Sequence, residues 1–330
     1  MVDSTSEILQ KATGWLKDAG IDTPRNDAKL LFAEAFGVSP SDVEKSVLLG
    51  TPLHAVASLN RASEAGIRDT SGFNTMGTVA ADDKNDVEEL AIRRLSVMLA
   101  RRKSREPLQY IVGHAPFRYL DLAVGPGVFI PRPETEIVVQ EVIDWLNHEH
   151  VDNSRLVDLC AGSGAIGLSM VTEVQDSEVW AVEQSDEAFE WIKHNNQEVV
   201  KQEPSVESRY HLVQADATIP ATLDHLDRSI DAVVSNPPYV PLEQIPEQPE
   251  VRDYDPEMAL YGGSADGTRI PERIIMRAYS LLRHGGALVM EHDISQGESL
   301  ADFARTHGFC QVRTGNDLTG RSRYLFAVKS

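Results

Sequence analysis

The sequence predicts an α/β fold: a doubly wound, mostly parallel sheet that ends in an antiparallel hairpin, preceded by a small helical domain. Three observations predict it. From residue 133 onward, helical and strand patterns alternate, which gives a parallel sheet covered on both faces. The apolar run 156–159 breaks into a glycine-rich turn and resumes as an apolar helical pattern, the opening of a βαβ unit. The last two strand patterns, 309–314 and 322–328, have no helix between them and therefore pair as a hairpin.

Residues 3–48 read as short amphipathic helices. Ile8, Leu9, Ala12, Trp15 and Leu16 recur at helical spacing, as do Ala28, Leu30, Leu31, Ala35 and Phe36, with Asp22-Thr23-Pro24 punctuating the gap. Residues 50–85 are rich in Gly, Ser, Thr and Ala and read as a flexible surface insertion. A helix over 86–104 closes this N-terminal domain, 1–104; its final Arg101-Arg102-Lys103 suits the negative end of the helix dipole. Between 105 and 130, two short runs, from Pro107 to Gly113 and from Phe117 to Val124, predict a linking β-hairpin. The α/β domain, 131–330, then reads helix 133–147, strand 155–159, helix 164–173, strand 178–183, helix 185–199, and strands 210–214 and 230–235. Helix 268–283, strand 286–292 and helix 296–307 lead into the closing hairpin.

Composition narrows the class. With 330 residues, 42% of them hydrophobic, the chain can bury a full α/β core and carry a second small domain. No apolar stretch reaches spanning length, and the first residues lack a charged-then-apolar leader, so no membrane role is expected. Two cysteines, Cys160 and Cys310, make neither a disulfide framework nor a metal site; a reducing cytoplasm is the expected setting. The net charge of −20 is uneven: residues 1–110 carry 14 basic and 16 acidic side chains, the remainder 17 and 35. An α/β domain at −18 repels free nucleic acid and attracts a basic protein surface.

The chemistry gathers where the strands end. Gly162, Gly164 and Gly167 fit a glycine fingerprint of the nucleotide-binding kind, in a loop that also holds Cys160, Ala161 and Ser163. Glu183 ends the next strand, 21 positions after Gly162, where a carboxylate accepts from both ribose hydroxyls of a nucleoside. Asp158, two residues before the loop, can meet an ammonium group directly or through water. Asp216, with Ala217 beside it, follows strand 210–214 and can accept from an adenine amino group. Those last two acids favour S-adenosylmethionine over NAD. The fourth strand ends in Asn236, Pro237, Pro238 and Tyr239. Pro237 keeps Asn236 out of the helical region, and the two consecutive prolines stiffen the chain leading to Tyr239. Asn236 Oδ1 and the Pro237 carbonyl can then accept from one planar NH2 group while Tyr239 lies against it, a clamp for a nitrogen about to be alkylated.

Together with the segment Pro131-Arg132-Pro133-Glu134-Thr135-Glu136, these motifs make the chain resemble the HemK-like (PrmC) enzymes, which are N5-glutamine methyltransferases of peptide chain release factors. The resemblance covers residues 86–330 well and the helical N-terminus more loosely. It implies a class I S-adenosylmethionine-dependent methyltransferase fold, S-adenosylhomocysteine as product, and no metal. It further implies release factors 1 and 2 as protein substrates, no direct nucleic-acid partner and a monomer. It also places Arg132 and Glu136 over the cofactor pocket, although both suit the start of a helix as well. The loop departs from the family at Cys160-Ala161, where Gly-Thr is usual.

On this reading Asn236, Pro237 and Tyr239 carry the transfer, and Asn236 through Tyr239 hold the acceptor. Tyr239 acts through its ring, so loss of its hydroxyl alone is expected to be mild. An N6-adenine methyltransferase would use the same clamp, but the −18 domain argues against it. A non-catalytic nucleotide-binding scaffold has no need of Asn236, and a dehydrogenase leaves the clamp unexplained.

Overall fold

The computed structural model describes residues 4–50 and 84–330, in two compact units. The insertion expected at 50–85 falls almost wholly outside the described residues.

The first unit comprises the described residues up to 113 together with 248–254. Its helices are α1 (Thr5–Asp18), α2 (Pro24–Phe36), α3 (Pro40–Leu49), α4 (Lys84–Lys103) and α5 (Leu108–Val112). Ser4 starts α1 through a reciprocal cap: its Oγ accepts from Glu7 N while Glu7 accepts from Ser4 N. Pro24 opens α2 and Gly37, in the left-handed region, ends it. Leu16, Leu31, Phe32, Phe36 and Leu95 fill the core, with the Phe32 and Phe36 rings stacked at 4.2 Å. Trp15, read as part of the apolar face, is 58% exposed and packs under Lys103 instead.

Two expectations change here. The run from Pro107 to Gly113 is a helical turn and not a strand. Tyr110 and Ile111 are buried on one side of it, and Gly113 at φ +86° terminates it. The basic end of α4 does more than face a dipole. Arg102 is buried and paired with Asp27 at 2.8 Å and with Glu250 at 2.8 Å, and Arg105 holds the other Glu250 oxygen at 2.7 Å. Glu250 lies in a short helix, Pro249–Tyr254, that the α/β part of the chain contributes to this unit.

The second unit comprises 114–247 and 255–330. It begins with the hairpin β1 (His114–Phe117) and β2 (Leu120–Ala123). A single 3-10 turn, Pro133–Thr135, leads into α6 (Glu136–His148). Then come β3 (Arg155–Leu159), α7 (Ala165–Glu173), β4 (Glu178–Glu183), α8 (Asp186–Gln202), β5 (Tyr210–Gln214) and β6 (Ile230–Ser235). The chain finishes with α9 (Arg269–Leu281), β7 (Leu282–Glu291), α10 (Gly297–Thr306), β8 (Phe309–Asn316) and β9 (Ser322–Lys329).

The seven-stranded sheet runs β5-β4-β3-β6-β7-β9-β8, parallel from β5 to β7 and antiparallel at β9 and β8. Alternate residues of one strand face opposite layers. Leu156 joins Val138, Val142, Leu168 and Ile192 on the α6–α7–α8 side. Its neighbour Val157 joins Val233, Ile274, Leu281 and Leu300 on the α9–α10 side. Strands continue from β3 outward to β5, then resume at β6 on β3's other flank. That reversal opens a crevice at the carboxyl ends of β3 and β6.

Candidate active site

The crevice is a cavity in the second unit whose walls come from four strand ends. After β3 come Cys160, Ala161, Gly162 and Ser163; at the end of β4, Glu183; after β5, Asp216 and Ala217; after β6, Asn236, Pro238 and Tyr239. Ile166, Val182 and Ile270 give it apolar sides.

The loop after β3 is built by backbone geometry. Cys160 and Gly162 both take positive φ, +66° and +56°, and a Cβ at Gly162 would meet nothing within 4 Å. The loop backbone therefore opens onto space at that point. Glu183 holds it: Oε2 accepts from Gly162 N at 2.8 Å, and Oε1 accepts from Ser185 N at 2.7 Å. Each oxygen keeps a lone pair for a further donor. Asn195, which the sequence reading did not single out, is buried and donates to Ser163 O while bonding both the N–H and the C=O of Ala123. It fixes the loop against the β1–β2 hairpin.

Asp216 Oδ1 accepts from Thr218 N at 2.8 Å, a turn-closing bond, and the residue still faces the cavity. Carboxylates at the ends of two adjacent strands, beside an open glycine loop and apolar walls, fit a ribose and a base. The Cys160 thiol is pushed well up by burial and by Glu183, which leaves it unreactive.

Asp158, Gly164, Arg132, Glu136 and Pro237 are not among the residues lining the cavity. Asp158 is fully buried beneath the loop, where Oδ2 accepts from Gly167 N at 2.9 Å and Oδ1 has no partner. Burial raises its pKa to about 7 against the hydrogen bond from Gly167 N, with a smaller contribution from the Glu183 charge. Gly164 starts α7 in the left-handed region, against Ile192. Arg132 donates to Asp255 at 2.6 Å and stacks over Phe129. Glu136 accepts from Arg118 N at 3.0 Å, holding the β1–β2 turn. Arg132 and Glu136 thus act on neighbouring protein segments. Pro237 is buried between Asn236 and Pro238, which do line the cavity.

Behind the clamp lies a network that the sequence reading did not anticipate. Thr135 Oγ1 donates to Glu291 Oε2 at 2.7 Å, and the Tyr239 hydroxyl donates to Glu291 Oε1 at 2.9 Å. Asn236 Nδ2 donates to Thr135 Oγ1 at 3.3 Å. Gln296 Nε2 donates to Tyr239 O at 2.7 Å and to Asp266 O at 2.7 Å. The Tyr239 hydroxyl is therefore engaged, a contact the sequence reading did not include. Glu291 could have been found by the rule that found Glu183, since it also closes an apolar parallel strand.

Known proteins agree with this architecture. The profile of the PrmC N-terminal domain matches residues 7–44, and that of conserved hypothetical protein 95 matches 109–250. A release factor glutamine methyltransferase of Bifidobacterium longum (strain NCC 2705) is 55% identical over 323 residues, covering 98% of this chain and 99% of its own. One from Streptomyces coelicolor is 38% identical over 98% of both chains, and one from Corynebacterium glutamicum is 34% identical over 98% of both. At that identity and coverage, the chain, with its glycine loop, strand-end acids and Asn236 in one crevice, belongs to the release factor glutamine methyltransferase family.

Proposed function

We propose that the protein transfers a methyl group from S-adenosylmethionine to the side-chain amide nitrogen of the glutamine in the Gly-Gly-Gln motif of peptide chain release factors. The observation that carries this reading is Asn236: its Nδ2 is tied to Thr135, so Oδ1 is the end left to accept from an NH2 group at the rim of the cavity. Bound S-adenosylmethionine supplies a methyl group already activated by its sulfonium.

The residues suited to hold that cofactor are Glu183 for the ribose, Asp216 with Ala217 for the adenine, and the loop from Cys160 to Ser163. Asp158 supports the loop from below through Gly167. Asn236 Oδ1 and the Pro237 carbonyl are the two acceptors for the substrate amide, and the Tyr239 ring is its flat wall. An amide nitrogen is a poor nucleophile, so the task of these residues is alignment, which contributes about 7–11 kcal/mol in favourable cases. Acceptors on the NH2 group also stabilise positive charge as it grows on nitrogen. The alkylated amide is acidic enough to lose its proton to the clamp or to water.

The acidic α/β domain suits a basic protein surface around the glutamine. We assign residues 1–104 to docking the body of release factors 1 and 2, because one loop offers too little surface for selective recognition. No helix among the described residues is long and apolar enough to cross a membrane, and we place the protein in the cytoplasm as a monomer. The test is mass spectrometry of the Gly-Gly-Gln peptide after intact release factor is incubated with isotopically labelled cofactor. Label on the glutamine side chain is expected, and none on a glutamine-to-glutamate factor. Label elsewhere, or on both, would remove the assignment.

A further inference from the structure

Glu291 is 2% exposed, at the carboxyl end of β7, and it does not line the cavity. A buried carboxylate is costly unless its oxygens are satisfied. Here both are taken by hydroxyl donors, Thr135 Oγ1 and the Tyr239 hydroxyl; burial raises the Glu291 pKa, and these two bonds and the Arg323 charge oppose it. Both donors belong to residues that do line the cavity. Glu291 thus sits one bond behind each of them.

The polarity of this network follows from Glu291 as the ionised carboxylate, which only accepts: Thr135 spends its single hydroxyl proton on it. The Thr135 oxygen is then an acceptor toward Asn236, and only the NH2 end of the Asn236 amide can satisfy it. An isolated asparagine amide could sit either way round. In this network it cannot. Oδ1 is forced outward, which is the orientation that an incoming NH2 group needs and that an incoming carboxylate would reject.

We infer that Glu291 is a positioning residue for glutamine selection: through Thr135 it sets which end of the Asn236 amide faces the acceptor, and through the Tyr239 hydroxyl it fixes the ring beside it. The inference rests on the function proposed above. Its signature is a change in which acceptor is preferred, beyond any loss of rate.

Glu291→Gln keeps the size of the side chain but has only one accepting end. It cannot accept from both hydroxyls. If its NH2 faces Thr135, the threonine proton is released toward Asn236 and the asparagine can invert. If it faces Tyr239, the ring loses its anchor. The test compares binding of intact release factor and of its glutamine-to-glutamate variant, in the presence of S-adenosylhomocysteine, alongside steady-state kinetics. E291Q should bind S-adenosylhomocysteine as the wild type does. Its kcat should fall by about 10–100-fold, the range for a lost charged hydrogen bond, and its preference for glutamine over glutamate by about tenfold.

Thr135→Val and Thr135→Ser form a second pair that leaves Glu291 in place. The preference should fall about tenfold further in the valine variant, which has no hydroxyl, than in the serine variant. Wild-type protein that does not methylate the glutamine would remove both this inference and the reading beneath it. An active wild type with E291Q, or with T135V relative to T135S, unchanged in preference would overturn the inference alone.

Discussion

Asp158→Asn should make the protein more stable in alkaline solution, although it alters a carboxyl buried beneath the glycine loop. Asp158 is completely buried, with one oxygen bonded to Gly167 N and the other without a partner. Burial raises its pKa from 3.8 to about 7. Below pH 4 the carboxyl is protonated in the folded and unfolded states alike, and its ionisation has no effect on stability. Between about pH 4 and 7 the unfolded chain releases the proton and the folded chain retains it, so stability falls as pH rises; above pH 7 the penalty is fully present. A pKa raised from 3.8 to about 7 sets a ceiling near 4 kcal/mol across the whole range, and local relaxation lowers this to roughly 2–4 kcal/mol.

Asparagine has the same shape, can still accept from Gly167 N, and does not ionise. Urea unfolding of the cofactor-free proteins near pH 5 and near pH 8 measures the difference. Part of the penalty is already present at pH 5, so the variant should gain on the wild type by roughly 1.5–2.5 kcal/mol between the two conditions. An equal difference at both pH values would refute the argument that burial holds Asp158 neutral.

Glu183→Ala removes the acceptor for Gly162 N and Ser185 N together with the proposed ribose contact; calorimetric titration should show S-adenosylhomocysteine binding about 10–100-fold weaker. Arg102→Ala leaves Asp27 and Glu250 without their buried partner and should cost about 3–5 kcal/mol in chemical denaturation of the unit that holds them. Deleting residues 1–104 should reduce methylation of whole release factor far more than that of a short Gly-Gly-Gln peptide. Equal loss on both would argue against docking by that domain.

Much of the fold was legible because one pattern carries it. Strands 155–159, 178–183, 210–214 and 230–235 end where the reading placed them: the first runs into the glycine loop, and the other three close on Glu183, Gln214 and Ser235 at the sheet's carboxyl edge. The turn Leu108–Val112 was not legible. Five residues with buried Tyr110 and Ile111 satisfy a strand or a helix equally, and only Gly113 decides between them. The helix Pro249–Tyr254 was missed because its stability comes from Arg102 and Arg105, about 145 positions away, and no local pattern reports that.

The same division runs through the site. Glu183, Asp216 and Asn236 were found from their positions at strand ends. Arg132 and Glu136 came only from the family resemblance, and they turn out to bind Asp255 and the β1–β2 turn. Thr135, Asn195, Glu291 and Gln296 act through contacts with residues distant in sequence, so single-chain spacing was silent on three of them. Glu291 alone carried a readable sign, the acid at the end of β7.

The most direct measurement separates binding from transfer at Asn236. The Asn236→Ala protein is assayed for S-adenosylhomocysteine affinity by calorimetry and for glutamine methylation of intact release factor by mass spectrometry. Asn236 grips the acceptor amide and its own amide is tied to Thr135 rather than to the nucleoside walls, so affinity should stay within a few-fold of wild type while methylation disappears. Retained methylation, or a collapse of cofactor binding in step with activity, would contradict the amide-clamp account.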